Sequence, residues 1–371
     1  MKYILSVLLF IFLSSCKNKL QDNEKYILGD WIRVRTMKTN RAGIPLVIAP
    51  PYKNGLAFYK NQSFDDKSGF INYNDHEHTY LGTRSKYRIT KDSLMLFDLV
   101  RRQWESYPIV KLSADTLQFD TGKGLYTFQR FKPQIFPENK FDKIILSTSG
   151  CLGECSVMDM ILNADRTLKV NGKMSTGDFT GEFTGVVPED KYEQVCRNFE
   201  LIDFDNITPK GALATDAQHV STTYIKNGKI FKTIENSEDF NYPTLVWASN
   251  YLRYLYQGIH LKKIAKTAIR ANSSIISAAY FTKGDSLLSL NLSDAVYLSE
   301  LLNKGARVGP KDFASRFTLH IYSFRASGDS IDTDGRFFKI IKKGKNTTID
   351  LGFNFYDVNA QNWNWKKLQN H

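Results

Sequence analysis

Short runs of alternating apolar and polar residues recur along most of the chain and predict antiparallel β-strands. In the first region, residues 26–131, polar turns separate these runs, which is the pattern of a β-meander. The strands predicted here are 55–59, 87–90, 93–97, 106–112, 116–119 and 125–128. A meander of this size predicts a small antiparallel barrel or half-barrel.

The rest of the chain mixes strands with helical periodicity. In the middle region a hairpin at 220–234 turns at Asn227-Gly228, and Pro188 begins a segment whose apolar positions share one helical face. The other elements predicted there are strands 144–146, 157–162, 167–170 and 181–187 and a helix at 242–256. The last region has predicted strands 275–281, 286–290, 317–324 and 336–341 and a helix at 293–303. The whole pattern predicts a mainly β protein, with the barrel followed by two α+β domains that have antiparallel sheets and a few helices.

Two breaks divide this pattern into three predicted domains. Pro133 and Pro137 flank a short extended stretch, and a basic segment runs from 258 to 274. The chain is also too long for one ordinary domain. The predicted domains are therefore 26–132, 140–260 and 275–371.

The beginning of the chain has the features of a secretory signal peptide. Lys2 gives a positive start, residues 3–13 are largely apolar, and the letters LSSC follow at 13–16. This segment resembles the lipobox of bacterial lipoproteins. The resemblance implies that residues 1–15 are a signal peptide that is removed, that Cys16 carries the lipid, and that 16–25 form a polar tether. It implies a membrane-anchored protein of the bacterial cell envelope, and the lack of an acidic run after Cys16 favours an anchor that faces the periplasm.

Composition and charge narrow the class of partner. The full chain has a formal net charge of +12, and removal of residues 1–15 takes away Lys2 and leaves +11, without a block of like charges. An exported chain with no recognised nucleic-acid motif is not expected to bind nucleic acid. The sequence also contains no G-x-S-x-G, H-E-x-x-H, phosphate-loop or dinucleotide motif, which lowers the expectation of an enzyme.

The tripeptide Gly29-Asp30-Trp31 stands at the entry to the first predicted strand. Together with the meander it resembles the entry strand of lipocalin-like domains. The resemblance implies an up-and-down barrel that either encloses a small apolar ligand or is filled with side chains. Trp31 is the candidate ligand-binding residue, and a binding barrel predicts an apolar cavity behind it.

Two cysteines, Cys151 and Cys155, lie four positions apart in a glycine-bounded turn, and Cys196 lies on the apolar face of a predicted helix. A turn rich in glycine can bring two Cα atoms within disulfide distance. The pair is interpreted as a structural disulfide, with reduced inert thiols, a redox pair and metal ligation as the alternatives. No second C-x-x-C motif accompanies it to complete a tetrahedral metal site.

The segment G-C-L-G-E-C at 150–155, the hairpin after it, and Thr215-Asp216 resemble a family of exported bacterial domains with a G-C-x-G-x-C signature. The family commonly has proline after the second cysteine, where this chain has Ser156. The resemblance covers about 120 residues and implies a fold but no reaction.

The remaining polar candidates are interpreted as ordinary turn and strand residues. His76 and His78 have a spacing that suits two metal ligands, and Asp216 and His219 could converge from the middle domain, but two ligands do not close a site. No metal and no cofactor are predicted.

The predicted function is a lipid-anchored, non-enzymatic binding or scaffold module of the envelope. Its predicted partners are the membrane, through Cys16, and either envelope proteins or a small apolar ligand. The first alternative is binding of a small apolar ligand in the N-terminal barrel. The second is a thiol-redox or hydrolytic enzyme in the middle domain.

Overall fold

The computed structural model describes residues 21–34, 38–39, 45–46, 55–73, 78–151, 155–173, 180–207, 218–236, 242–264, 276–323, 326–342 and 345–367. The chain divides into two compact units. Unit 1 comprises residues 1–136, 197–202 and 239–257, and unit 2 comprises 137–196, 203–238 and 258–371. The helix predicted near 242–256, which the sequence analysis assigned to the middle domain, therefore belongs to unit 1.

Unit 1 is built on a closed antiparallel barrel of eight strands. The barrel strands are β1 (Gly29–Arg33), β4 (Gly55–Phe58), β5 (Ser63–Asp66), β8 (Arg84–Ile89), β9 (Ser93–Asp98), β10 (Gln103–Leu112), β11 (Thr116–Asp120) and β12 (Leu125–Arg130). Each strand pairs with the next barrel strand in the chain, and β12 closes the barrel on β1. Four two-residue strands also occur in unit 1, namely β2 (Lys38–Thr39), β3 (Pro45–Leu46), β6 (Ile71–Asn72) and β7 (Thr79–Tyr80).

Bulky side chains form the core of the barrel. Trp31 is completely buried, and Phe58 packs between Phe64 at 5.7 Å and Tyr87 at 4.9 Å, measured between ring centroids. On the opposite strands, Phe119 and Phe128 stack at 5.5 Å. The cluster also contains Ile27, Leu56, Leu94 and Leu117. The described barrel is thus packed with side chains, as small eight-stranded barrels often are.

The helix α1, residues 21–27, precedes the barrel and differs from the tether predicted for 16–25. Ile27 is fully buried in the barrel core. The side-chain amide of Asn23 donates to the carbonyls of Thr90 and Lys91, at 3.1 and 3.0 Å. These contacts hold α1 on the barrel, although its sequence is mostly polar and lacks a repeating apolar pattern. Residues 16–20 lie outside the described part.

Helix α3 (Pro243–Arg253) packs on the barrel within unit 1. The rings of Trp247 and Phe131 meet edge to face at 5.7 Å. A Cβ atom at Gly55 would lie 2.3 Å from the Trp247 ring, so only glycine lets the indole approach β4 so closely.

Unit 2 contains a seven-stranded antiparallel sheet and an eight-stranded antiparallel sheet. The seven-stranded sheet consists of β13 (Lys143–Thr148), β14 (Val157–Asn163), β15 (Thr167–Lys173), β16 (Thr180–Val186), β17 (Val220–Lys226), β18 (Lys229–Asn236) and β19 (Lys262–Lys263). Its order is β18-β17-β13-β14-β15-β16-β19. Helix α2 (Glu189–Phe199) follows β16, beginning in unit 2 and ending in unit 1.

The eight-stranded sheet consists of β20 (Ile276–Lys283), β21 (Ser286–Leu290), β22 (Ala306–Val308), β23 (Phe317–Ser323), β24 (Ala326–Thr333), β25 (Phe337–Lys342), β26 (Lys345–Asp350) and β27 (Lys366–Lys367). Its order is β22-β26-β25-β24-β23-β20-β21-β27. Helix α4 (Leu292–Lys304) connects β21 to β22, and α5 (Phe355–Asn359) lies near the end of the chain.

Helix α4 joins the two sheets of unit 2 through one core. It contacts β13 and β17 of the first sheet and β20 of the second. Its residue Val296 is buried in a cluster that includes Ile145 from the first sheet and Phe281 from the second. The sheet strands of region 140–260 and the region 275–371, which were predicted to belong to separate domains, therefore share a core in unit 2. The prediction of a mainly β protein with an N-terminal antiparallel barrel, antiparallel sheets and few helices is confirmed.

Candidate functional site

Six polar residues lie in direct register across six neighbouring strands of the seven-stranded sheet. We call them the polar row, and in spatial order they are Glu235, Ser221, Ser147, Asp159, Asn171 and Glu182. Directly paired residues place their side chains on the same face of an antiparallel sheet, about 5 Å apart. One polar line therefore crosses the sheet on the face that carries Ile145 and Ile161.

The middle of the polar row is buried. Ser147 and Asp159 are exposed to only 0% and 3%, and the Ser147 hydroxyl donates to Asp159 Oδ1 at 2.6 Å. Buried polar groups in proteins are normally satisfied in this way, because an unmade hydrogen bond is costly. Asn171 and Glu182, at one end of the row, depart from this rule.

Asn171 is exposed to only 7%, yet neither its amide oxygen nor its amide nitrogen has a hydrogen-bond partner in the described part of the protein. Its neighbour Glu182 likewise has one buried carboxylate oxygen, Oε1, without a partner among the described residues. Leaving a buried polar group unsatisfied costs about 1–3 kcal/mol. This end of the polar row therefore carries buried hydrogen-bonding groups that the described side chains do not satisfy.

The unsatisfied end of the polar row opens into a cavity of about 210 Å³ within unit 2. Its lining residues are Asp159, Ile161, Lys169, Val170, Asn171, Glu182, Phe183, Ile264, Val296, Glu300, Asn303 and Lys304. At roughly 30 Å³ per water molecule, the cavity has room for about seven waters. It is smaller than the roughly 300–1,000 Å³ of sites for drug-sized ligands.

The opposite wall of the cavity carries an ion-pair cluster around Glu300 of α4. Three ammonium groups surround this carboxylate, with Lys143 Nζ at 2.7 Å, Lys304 Nζ at 2.9 Å and Lys169 Nζ at 3.5 Å. Burial alone would raise the pKa of Glu300, but hydrogen bonds and charge from Lys143 and Lys304 hold the pKa below its usual value. Glu300 is thus a carboxylate whose charge the surrounding lysines already balance.

A second buried polar group lies where α4 begins. The Asp294 carboxylate accepts hydrogen bonds from the hydroxyls of Thr223 and Thr233, at 2.7 and 2.6 Å, and the Trp363 indole nitrogen lies 3.4 Å from its other oxygen. These donors favour the charged form, yet complete burial raises the pKa of Asp294. The hydroxyl of Ser293 links this group to Ser221 of the polar row.

The raised pKa of Asp294 predicts that part of the stability of unit 2 is lost as the pH rises. The folded state holds a proton on Asp294 at pH values where the unfolded chain has released it, so the free energy of unfolding falls as pH increases above about 4, with a slope of at most about 1.4 kcal/mol per pH unit. Asp294→Asn cannot titrate, so we expect it to gain stability relative to the wild type between pH 4 and pH 7. Urea unfolding at several pH values measures the difference.

The control for this experiment is Asp285→Asn, which removes an exposed carboxylate from the turn between β20 and β21. It is expected to keep the wild-type dependence on pH. Burial also raises the pKa of Glu235 on β18, and that contribution has the same sign and remains in both variants. Parallel wild-type and Asp294→Asn curves would contradict the prediction.

The cysteine turn lies at the end of β13 and β14. The Sγ atoms of Cys151 and Cys155 are 2.00 Å apart and their Cα atoms 5.7 Å apart, which is disulfide distance. The side-chain amide of Gln218 donates to the carbonyls of both Ser149 and Ser156, each at 2.8 Å. These bonds join the two ends of the turn to the residues just before β17. Both cysteines are half-buried, and so is Cys196 on α2.

The other predicted site residues are not brought together. Trp31 lies in the packed barrel core. The His78 ring contacts Tyr73 at 4.8 Å, and the His219 backbone bonds with Ser149 next to the cysteine turn. Cys16, His76 and Asp216 lie outside the described residues. Among the described residues no group of three or more His, Cys, Asp or Glu side chains could hold a metal ion.

The polar row, and part of the cavity lining, lie in a region that matches the model of a protein family. Residues 142–256 match the model of one family, the Domain of unknown function (DUF6438). The matched region contains both cysteines of the turn and all six residues of the polar row. The cavity is completed by residues beyond it, namely Ile264 and the α4 residues Val296, Glu300, Asn303 and Lys304.

No curated protein matches the chain. Within the described ranges, none of the helices combines the length and apolar character needed to cross a membrane.

The sequence analysis missed the polar row and the cavity. The only local signal is that Asp159 interrupts a strand, residues 157–163, that is otherwise rich in apolar residues. The convergence of Asp159, Asn171 and Glu182 depends on strand register, and the cavity depends on α4, which lies more than one hundred residues further along the chain.

Proposed function

We propose that this protein is an exported, lipid-anchored binding module of the bacterial cell envelope, and that a small polar ligand binds in the cavity at the end of the polar row. The observation that carries the proposal is the buried Asn171 amide, which lacks any partner in the described part of the protein while lining a cavity of about 210 Å³. A ligand that offers both a donor and an acceptor would satisfy the amide and offset its cost.

The residues around Asn171 favour a bound ligand over water in the cavity. The apolar residues Ile161 and Val296 line the same space. Ligand sites typically combine apolar walls with a few convergent polar groups, which supply burial and orientation respectively. Water would satisfy the amide but would gain nothing from these walls.

The proposed anchor rests on the first sixteen residues. The apolar run at 3–13 and the lipobox-like LSSC at 13–16 support acylation of Cys16. Several acyl chains together hold a protein firmly, since each buried CH₂ contributes about 0.8 kcal/mol. The proposed location is the envelope, with the folded units facing the periplasm, where small polar molecules and other envelope proteins are the available partners.

The barrel is proposed to be lipocalin-like. Support comes from the closed eight-stranded up-and-down arrangement and from Gly29-x-Trp31 in its first strand. Its aromatic core favours a structural role over the alternative of a bound apolar ligand, because bulky side chains occupy the space behind Trp31.

The cysteine turn is proposed to be a structural disulfide with the G-C-x-G-x-C pattern. The two hydrogen bonds from Gln218 hold the ends of the turn and give it a fixed shape. A bridge around so short a loop would stabilise the fold by about 2 kcal/mol on the chain-entropy model. These contacts favour a structural role over the thiol-redox or hydrolytic alternative.

Substitution of Asn171 tests the proposed binding site. We expect the full-length protein, purified in detergent, to bind at least one member of a panel of monosaccharides, amino acids and small amines in isothermal titration. Asn171→Leu is expected to weaken that binding by at least tenfold, because it removes both amide groups and occupies part of the cavity. The matched control Asn364→Leu changes an exposed asparagine in unit 2 and is expected to bind as the wild type does.

Two results would count against the proposal. One is the absence of binding across the whole panel together with no retained small molecule in the native mass of the protein from bacterial membranes. The other is equal affinity of the wild type and Asn171→Leu for the same ligand.

A further inference from the structure

We infer that the ligand of this cavity binds through a protonated primary amine. The inference rests on the proposed function and adds the chemical class of the group that reaches the polar row. The evidence for an amine is the charge of the residues around Asn171 and the number of hydrogen bonds that they can make.

Carboxylates flank Asn171 on both sides. In the sheet register, Asp159 is its direct partner on β14 and Glu182 its direct partner on β16. Both residues line the cavity together with Asn171. An anionic ligand group placed between them would meet two like charges within a few ångströms, so phosphate and carboxylate groups are disfavoured at this end.

The lysines that line the cavity form no ion pair with Glu182 in the described part of the protein. Lys169 and Lys304 both direct their ammonium groups to Glu300, at 3.5 and 2.9 Å. Glu182 has no ion pair with any described residue, and its Oε1 is buried without a hydrogen-bond partner among them. The charge of Glu300 is therefore balanced by lysines. The charge of Glu182 is not, and we call this side of the cavity, at the polar row, the negative wall.

Hydrogen-bond capacity distinguishes an amine from a hydroxyl at the negative wall. The acceptors there without a partner among the described residues are the Asn171 amide oxygen and Glu182 Oε1. An ammonium group donates three hydrogen bonds and carries the compensating positive charge, whereas a hydroxyl donates one. Charge-assisted bonds are also roughly twice as strong as neutral ones. The geometry thus favours an ammonium over a neutral alcohol.

The rest of the ligand follows from the other lining residues. The Asn171 amide nitrogen remains a donor for a hydroxyl or carbonyl oxygen of the ligand. Asn303 Oδ1 is a further buried acceptor without a partner in the described part of the chain. With space for about seven water molecules, the cavity suits a small hydroxylated amine such as an amino sugar.

Two matched pairs of probes test the inference on the full-length protein in detergent. Each pair differs by one amine in place of one hydroxyl: glucosamine against glucose, and ethanolamine against ethylene glycol. We expect isothermal titration at neutral pH and low salt to show at least tenfold tighter binding of the amine in one pair or both. Glu182→Gln keeps the shape of the side chain but removes its charge, and it is expected to reduce this preference by at least fivefold.

Glu189→Gln is the matched control, because Glu189 on α2 is exposed and does not line the cavity. It is expected to retain the full preference for the amine. Thermal unfolding of each variant shows whether it is folded, and the wild-type comparison within each pair stands independently of any variant.

The outcomes separate the two proposals. Equal binding of amine and alcohol, or an amine preference that Glu182→Gln leaves intact, overturns the amine inference while the cavity remains a binding site. Failure of all four probes also overturns it, and the proposed function then stands only if the wider panel yields a ligand that depends on Asn171. Failure of that panel as well removes both.

Discussion

Replacement of Trp31 by alanine is expected to destabilise unit 1 by about 3–5 kcal/mol, the usual cost of truncating a fully buried large aromatic residue. The Trp31 side chain is completely buried among the barrel residues, so its removal leaves a void that the surrounding rings can fill only in part. It also makes two specific contacts. The indole nitrogen donates to the Ile27 carbonyl at 2.7 Å, and the Arg130 guanidinium lies 3.8 Å from the ring centroid.

Loss of these contacts is also expected to weaken the attachment of helix α1 to the barrel. Arg130 donates to the carbonyls of Tyr26 and Leu28, and Trp31 donates to that of Ile27, so the two side chains together hold the end of the helix on the barrel. A destabilisation near the upper end of the range is expected for this reason. It corresponds to a large share of the stability of an ordinary domain, which is about 5–15 kcal/mol.

Urea unfolding followed by circular dichroism measures the effect. The matched control is Trp104→Ala, which truncates a half-buried tryptophan on β10 that contacts Phe97 at 5.4 Å and Arg88 at 4.3 Å. We expect Trp104→Ala to cost clearly less, because much of its side chain already meets solvent. Equal losses for the two variants would show that Trp31 is not the centre of the barrel core.

The second large effect is expected from Cys16→Ser, which should abolish lipid attachment altogether. In the proposed anchor the Cys16 sulfur is the atom that carries the lipid, and a serine hydroxyl is a much weaker nucleophile than a cysteine thiolate. Cells that express the wild type in a bacterial host with an alkyne-tagged fatty acid are expected to label the protein strongly, and Cys16→Ser is expected to reduce the label to background. Cys196→Ser changes a different cysteine that is not disulfide-bonded and is the matched control.

Label in Cys16→Ser equal to that of the wild type, or a wild-type protein that carries no label, would refute the proposed anchor. The intact mass of the purified wild type provides an independent check, because removal of residues 1–15 and addition of acyl chains change it by defined amounts. Neither readout depends on the ligand or on the barrel.

Local chemistry made several strands predictable from the sequence. The hairpin predicted at 220–234 occurs as β17 and β18, and Asn227 and Gly228 in its turn have φ angles of +54° and +69°. Asparagine and glycine are the residues that tolerate such backbone conformations, so the turn is encoded where it forms. The helix that follows Pro188 is likewise present as α2, with Val195 and Phe199 buried on the predicted face.

Helix α1 shows where local chemistry was insufficient. A short polar helix gains little from propensity alone, so its stability depends on packing. In this protein that packing comes from Asn23 on the Thr90 and Lys91 carbonyls and from Ile27 in the barrel core. These partners are distant from α1 in the sequence, so no local pattern predicts the contacts.

The sequence by itself determined the strand-rich character of the chain, its barrel-forming meander and its hairpin turns, because alternation and turn residues act within a few positions. Only the tertiary structure decided the polar row, since pairing register sets which of Asp159, Asn171 and Glu182 become neighbours. It also decided the cavity, because α4 brings Glu300 and Val296 to the same face from outside the matched region. A binding site assembled from separate strands and a distant helix is specified by long-range packing, and that information is spread over the whole of unit 2.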